Sequence, residues 1–296
     1  MASSRTPQIE RSRGEPIRAS IDEMVRDPVF RGVIDYLANS FVTTHMNAPR
    51  QSAIFATQQR WLLSHVALGE YFRSLAAGKA GITRTGFGNL ALRNAIASRN
   101  TAYAFFDEAL KYGMISTTAD GDSAAPTPQT LALLSQWYEI HLHALDLFDD
   151  GGRAVHFQAE PLALLSRMGP EVAGGLVSNP DIRAPGPLYT IFTWSDIGGL
   201  LMDRLISGID WQVRPSHGGY LTDVSSISYL ARNFGLSRAH TSRKLSAAES
   251  IGGIGWSGPR GYSRIWISAD FYAEYARAHA RKLLIVDAAY WAAVNS

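Results

Sequence analysis

A basic stretch between Arg232 and Ile267 holds side chains of the kind that bind phosphate. It contains six lysines and arginines and a single acid, Glu249. The polar residues expected to project from it are Arg238, His240, Ser242, Arg243, Lys244, Arg260 and Arg264. Lysine and arginine neutralise nucleic-acid phosphates, and arginine also pairs with base edges in the major groove. The residues therefore predict contact with double-stranded DNA, and the plain alternative is a solvated basic face.

Two helices joined by a tight turn would carry most of these side chains. Residues 224–234 have apolar positions at helical spacing, and Gly235 suits a turn that needs a positive φ. Ser237 is a favourable N-cap for a second helix over residues 238–250. We expect that helix to bury Ala239, Leu245 and Ala248. This is the pattern of a helix-turn-helix, whose second helix enters the major groove.

The segment that follows has the pattern of a pair of strands. Residues 254–267 alternate around Ser257-Gly258-Pro259-Arg260-Gly261, a sequence rich in turn-forming residues. The pattern predicts a β-hairpin. A hairpin beside a helix-turn-helix is called a wing, and its arginines can reach the DNA backbone or minor groove.

An earlier part of the chain repeats the order of these residues. Residues 91–116 align with residues 230–255 without a gap, and Asp146 and Asp287 follow the two hairpins at a similar spacing. The matching pairs are Arg93 with Arg232, Asn94 with Asn233, Ser98 with Ser237, Arg99 with Arg238, Ala109 with Ala248, Gly113 with Gly252 and Ile115 with Ile254. Such a repeat predicts an internal duplication.

The repeat also sets the expected domain boundaries. We predict a flexible N-terminal arm over residues 1–20, a first module over residues 21–150 and a second module over residues 151–296. The seam between the modules is expected at Asp149-Asp150-Gly151-Gly152, because glycine-rich segments interrupt regular structure.

Three short motifs of the second half resemble the passage from helix to wing in a known family. They are Gly252-Gly253-Ile254, Pro259-Arg260-Gly261 and Ile267-Ser268, and the chain that carries them is similar to the MarR-type winged helix-turn-helix transcriptional regulators. The resemblance implies a mainly α fold with two tandem winged-helix modules that form an intramolecular pseudo-dimer. Since the family is dimeric, it also implies a monomer in solution and a DNA-binding regulator of transcription.

The two modules differ in charge. Between Arg93 and Pro128 there are three basic residues and four acidic ones, and the acids Asp107 and Glu108 share the predicted helix of Arg99. We therefore expect DNA to be bound mainly through the second module, with Arg99 as a weaker contact. The alternative function is a winged-helix scaffold that binds protein and has lost DNA binding.

Aromatic residues recur in the predicted long helices of both halves. The candidates for a pocket that takes a small aromatic effector are Trp61, Phe72, Trp137 and Trp194. The family resemblance suggests such an effector, whereas an aromatic stripe at helical spacing is also typical of simple core.

Several classes of protein are disfavoured by what the sequence lacks. There is no cysteine, which excludes disulfides, thiol catalysis and cysteine-bound metal. No apolar run reaches the roughly 18 residues of a membrane span, and no secretory signal begins the chain, so we expect a cytoplasmic protein. Residues 253–258 match GxGxxG but lead into a hairpin, not a helix, so no dinucleotide site is expected. His141 and His143 lie on different faces of a helix, and no catalytic or metal-binding motif is found, so we predict neither an enzyme nor a cofactor.

Overall fold

Helices make up most of the structure, and strands form two small sheets. The computed structural model describes residues 14–49, 57–194, 198–213 and 218–296. The helices of the first half are α1 (Ile21–Arg26), α2 (Phe30–Asn47), α3 (Gln58–Ala76), α4 (Arg84–Arg93), α5 (Arg99–Lys111) and α6 (Pro128–Asp149). Those of the second half are α7 (Arg153–Ala159), α8 (Pro161–Ser178), α9 (Pro180–Arg183), α10 (Pro187–Thr193), α11 (Gly198–Ser207), α12 (Ile227–Asn233), α13 (Arg238–Ser250) and α14 (Ala269–Val294). The predicted mainly α class is confirmed.

The strands are arranged alike in the two halves. They are β1 (Ile82–Thr83), β2 (Ile115–Thr117) and β3 (Ser123–Pro126) in the first half, and β4 (Gly219–Leu221), β5 (Ile254–Trp256) and β6 (Ile265–Ser268) in the second. The sheet orders are β1-β3-β2 and β4-β6-β5, and every pair is antiparallel. Ile254 lies opposite Ile267, which confirms the predicted hairpin, while the third strand of each sheet was not expected.

Local turn chemistry fixes the helix pair that precedes the second hairpin. Gly235 has φ +64°, a conformation that costs other residues energy, and Ser237 accepts a hydrogen bond from the His240 N–H at 3.1 Å. Helix α13 therefore begins and ends where predicted. Its partner starts at Ile227 and not at 224, because the Val224 carbonyl accepts a hydrogen bond from Ile265 at the sheet.

The long helices of the two halves pack across each other. Helix α2 of the first half packs on α11 of the second, and α3 packs on α8. Gly69 lies inside α3, where a Cβ would come within 2.9 Å of Ala173 Cβ. The glycine therefore does not break the helix, but lets α3 approach α8 closely. Helices α6 and α14 also contact each other, so the main hydrophobic core draws on both halves.

A buried arginine ties the ends of the two longest helices together. The Arg153 side chain is fully buried and donates to Asp287 at 2.8 Å, to Asp149 at 2.6 and 2.7 Å, and to Asp146 at 3.3 Å. Burial raises the pKa of Asp287, although Arg153 opposes that shift. Asp149 is the last residue of α6, in the first half, and Asp287 belongs to α14, in the second. Arg153, just after the predicted seam, therefore links the two halves through its side chain.

The N-terminal arm was predicted to be flexible, and part of it is bound. Residues 1–13 lie outside the described residues. The Ile17 N–H donates to Asp287 Oδ2 at 2.6 Å, and Ser20 caps α1 through a capping box with Glu23. The segment from Ile17 to Ser20 is therefore held against α14 and is not a free tail.

Candidate functional site

Two arginines of α13 stand out on the surface beside the β5–β6 hairpin. Arg238 and Arg243 are exposed, and neither forms an ion pair with a described residue. Ser242 and His240 of the same helix are half-buried. An exposed guanidinium with no internal partner can bind a phosphate or a base edge without first breaking a contact. Arg238 and Ser242, four residues apart, lie on one side of the helix, and Arg243 and His240 lie further round it.

Lys244 was predicted to project from α13 and contact DNA, and this prediction is wrong because its side chain points into the protein. It is 6% exposed, and its Nζ donates to the carbonyls of Ile191 at 2.9 Å and Phe192 at 3.2 Å. Ala239, predicted to be buried, is exposed instead. The inward residues of α13 are Thr241, Lys244, Leu245 and Ala248, a helical spacing that the sequence already contained.

The two arginines of the β5–β6 hairpin, Arg260 and Arg264, already bond other groups of the protein. Arg264 donates to the Thr222 carbonyl at 2.6 Å and to Asp210 at 2.8 Å, and this hydrogen bond lowers the pKa of Asp210. Arg260 bonds Ser246 of α13 at 2.6 Å and lies 3.5 Å from Glu249. Their predicted role as phosphate contacts competes with a second one, which is to hold the hairpin against α13 and the loop before β4.

The equivalent helix of the first half, α5, carries fewer free charges. Arg99 is exposed and donates to Asn89 at 3.0 Å. The acids that were expected to repel DNA are paired, Asp107 with Arg84 at 2.7 Å and Glu108 with Arg60 at 2.6 Å. Their repulsion is therefore weaker than the sequence indicated.

A cavity of about 250 Å³ lies where the long helices of both halves meet. Helices α2, α3 and α6 line it from the first half, and α9, α10, α11 and α14 from the second. Trp61 and Trp137 of the predicted pocket are in its wall. Phe72 is not, because it points from α3 toward Gly169 of α8, and Trp194 is 73% exposed and also lies elsewhere.

A lysine enters this cavity from α14. The Lys282 Nζ donates to the Tyr189 hydroxyl at 2.8 Å and lies 5.1 Å from the centre of the Trp61 ring. It has no carboxylate partner within 4 Å among the described residues. Aromatic faces and a phenol hold the ammonium group in place, and its charge also acts on Asp203, whose pKa it lowers against the larger effect of burial.

Buried imidazoles line the same cavity. His45, His65 and His279 line the cavity, each at most 3% exposed, and each has a ring nitrogen with no hydrogen-bond partner in the described part of the chain. Burial lowers the pKa of His65 to about 3, and the charge of Lys282 adds to that shift. These rings are neutral at pH 7, so each can donate one hydrogen bond and accept one.

A carboxyl group completes the polar lining. The Tyr275 hydroxyl donates to Asp203 Oδ1 at 2.6 Å, and burial raises the pKa of Asp203 to about 7. Lys282, Asp203 and the three histidines were not identified from the sequence. Only the polar residues spaced along the apolar face of α14, Tyr275, His279 and Lys282, gave a signal that could have found them.

Comparison with models of known families, with curated proteins and with solved structures finds no match for this chain. Among the described residues, no three histidine, aspartate or glutamate side chains are grouped so that they could hold a metal ion. No helix in the same residues is long and apolar enough to cross a bilayer. The residues themselves must therefore carry any assignment of function.

Proposed function

We propose that this chain is a sequence-specific DNA-binding transcriptional regulator, which contacts the duplex mainly through the second of two winged-helix modules. One observation carries the proposal: Arg238 and Arg243 are exposed and unpaired among the described residues, on the helix next to the β5–β6 hairpin. In a winged helix this is the helix that enters the major groove. Arginine is the side chain that most often reads guanine there.

The arrangement of the two halves supports the same proposal. In each half a helix pair lies between the first and second strands of a three-stranded sheet of the same order, as two winged-helix modules would have. Helices α2 and α3 of the first half pack on α11 and α8 of the second, as they would in an intramolecular pseudo-dimer. A monomer in solution is expected, because each half already has its partner.

Unequal modules predict an unequal binding site. A symmetric dimer reads two equivalent half-sites and so prefers a palindrome. Here α13 offers two uncommitted arginines, whereas Arg99 of α5 already bonds Asn89. In vitro selection from a random duplex library should therefore return an asymmetric site, and recovery of a strict palindrome would contradict this inequality.

The test is fluorescence anisotropy with the selected duplex and with a random one, at two salt concentrations. Arg243→Ala should weaken binding to the selected duplex by roughly ten- to a hundredfold and lower its preference over the random one. Arg167→Ala, on an exposed face of α8, is the matched control and should leave both affinities unchanged. Arg264→Ala should also weaken binding, because the wing loses its anchor at Asp210.

Three outcomes would count against the proposal or part of it. Equal losses of affinity for the selected duplex in Arg99→Ala and Arg243→Ala would contradict binding mainly through the second module. Binding that does not weaken as salt rises would contradict phosphate contact. A folded wild-type protein that binds no duplex would overturn DNA binding and favour the protein-binding scaffold.

A further inference from the structure

The turn between α4 and α5 is held by side chains from outside that helix pair. Ala95 in this turn has φ +48°, a left-handed conformation that favours glycine, and the matching turn of the second half uses Gly235. Arg183 donates to the Asn94 carbonyl and lies 3.5 Å from that of Ala95, while Gln59 of α3 donates to the next carbonyl at 2.9 Å. A strained backbone persists where its surroundings fix it, so these bonds determine the shape of the turn.

Arg183 reaches the turn from the other half of the chain. It is the last residue of α9, and Asp181 in the same helix pairs with Arg281 of α14 at 3.0 Å. Ile182 is buried, and its carbonyl accepts a hydrogen bond from Gln58 of α3. Because α9 is bound in this way to a long helix of each half, Arg183 extends from a fixed base.

The other end of the same segment holds the reading helix of the second half. Helix α10 follows α9, and its Ile191 carbonyl accepts a hydrogen bond from Lys244 of α13 at 2.9 Å. Thr193, the last residue of α10, donates to Gln58 at 2.9 Å, so this end is also bound to α3. Residues 180–193, which we call the strut, therefore contact both the turn before α5 and the buried side of α13.

We propose that the strut sets the position of α5 relative to α13 on the duplex, and that Arg183 is the positioning residue through which the first half is held. This inference rests on the proposed DNA binding and adds to it that α5 contacts the DNA backbone at one fixed place in the site. Phosphate contacts carry no sequence information directly, but they fix the register of a protein on the duplex. The strut gives the two halves a single common register.

The width of the DNA contact depends on that rigidity. Successive phosphates of one strand are about 3.4 Å apart along the duplex axis. Arg99 is exposed at the start of α5, so it meets one phosphate at a set distance from the bases that α13 reads. Without Arg183 the turn before α5 loses its hold on the second half, and the contact of Arg99 spreads over neighbouring phosphates.

The test is a scan of the selected duplex with single methylphosphonate linkages, each of which removes the charge of one phosphate, read by fluorescence anisotropy on the full chain. In wild type, one linkage in the part of the site beyond the bases that α13 reads should weaken binding by roughly tenfold, and its neighbours should have little effect. Arg99→Ala should abolish this peak. In Arg183→Met the peak should spread over several phosphates, none of them costing more than roughly threefold in affinity.

Arg73→Met is the matched control for the loss of an arginine that links the halves. Arg73 of α3 donates to the Pro170 carbonyl at 2.9 Å, and this acceptor lies in α8, outside both helix pairs. The variant should keep the sharp peak of wild type. Circular dichroism and thermal melting establish that each variant is folded. If Arg183→Met does not fold, Arg183→Gln, whose shorter side chain keeps an amide donor without the reach, is scanned with the same duplexes.

The outcomes separate this inference from the proposed function. A wild-type protein that binds the selected duplex with no critical phosphate in the α5 part, or an Arg183→Met variant that keeps the sharp peak, would overturn the strut and leave the proposed function standing. A protein that binds no duplex would overturn both. Hydrogen exchange without DNA is an independent check: the amides of residues 94–98 should exchange faster in Arg183→Met, and those of residues 234–237 should not. Equal exchange in variant and wild type would overturn the role of Arg183 whatever the DNA result.

Discussion

Replacing Arg153 by methionine should be among the most damaging single substitutions in this chain. The arginine is fully buried and makes four side-chain hydrogen bonds to three carboxylates. Methionine has a similar length but no donor, so Asp146, Asp149 and Asp287 would be left facing one another. Removing one partner of a buried ion pair costs about 3–5 kcal/mol, and here three acids lose theirs. We expect a loss of at least about 3–5 kcal/mol in the free energy of unfolding at pH 8.

The loss should be smaller in acid. Without Arg153 the folded-state pKa of Asp287, already raised by burial, rises further above its unfolded value. Stability from such a group is fully present below the unfolded pKa and is lost as the pH rises through the folded pKa. At pH 5 part of the carboxylate charge is therefore neutralised by protons, and the variant should lie closer to wild type than at pH 8.

Urea unfolding followed by tryptophan fluorescence at pH 5 and pH 8 measures both effects. Arg204→Met is the matched control: its pair with Asp223 is at the surface and should contribute no more than about 1 kcal/mol. If Arg153→Met proves too unstable to purify, the triple variant with Asp149→Asn and Asp287→Asn should recover much of the stability. A loss below about 1 kcal/mol at pH 8, or the same loss at both pH values, would refute the reasoning.

Three further substitutions have defined outcomes. Asp203→Asn should stabilise the protein by about 2–4 kcal/mol at pH 8 and by little at pH 4. The folded-state pKa of Asp203 is near 7, so ionising this carboxyl group destabilises the folded state only as the pH rises toward that value. Equal effects at both pH values in urea titrations would contradict this. His65→Phe should move acid unfolding to lower pH. The folded-state pKa of His65, near 3, lies below its unfolded value, so the wild-type protein loses stability as the pH falls from about 6.5, and phenylalanine removes that loss. An unchanged midpoint of acid unfolding by circular dichroism would argue against this. Gly69→Val should lower the melting temperature, because the new Cβ would meet Ala173 at 2.9 Å. Gly32→Ala should not lower it, because no atom lies within 4 Å of a Cβ at that position. Similar melting of the two variants would count against close packing of α3 and α8.

Elements governed by neighbouring residues could be predicted from the sequence. Gly235 and Ser237 determine a turn and a cap, so α13 was predicted with both its ends. The hairpin between Ile254 and Ile267 follows from its alternation and its turn. Strands β1 and β4 have only two and three residues, and their pairing depends on β3 and β6 far along the chain, so no local pattern shows them.

The cavity could be predicted only in part, for the same reason. Trp61 and Trp137 were found as aromatic residues on long helices, but the polar lining was not. His65, Asp203 and Lys282 come from three helices separated by many residues, and nothing in the sequence around each one indicates that they meet. The wrong prediction for Lys244 could have been avoided from the sequence, because helical spacing places this residue on the same face as the buried Thr241, Leu245 and Ala248.

The packing of α2 on α11 and of α3 on α8 also changes how the protein responds to dilution. Two separate subunits joined by such an interface would fall apart once their concentration dropped below the dissociation constant. Here both surfaces belong to one chain, so each sees the other at an effective concentration of the order of millimolar. The paired arrangement therefore persists in a cell that holds only a few copies of the protein, and the number of active molecules rises in simple proportion to the number synthesised.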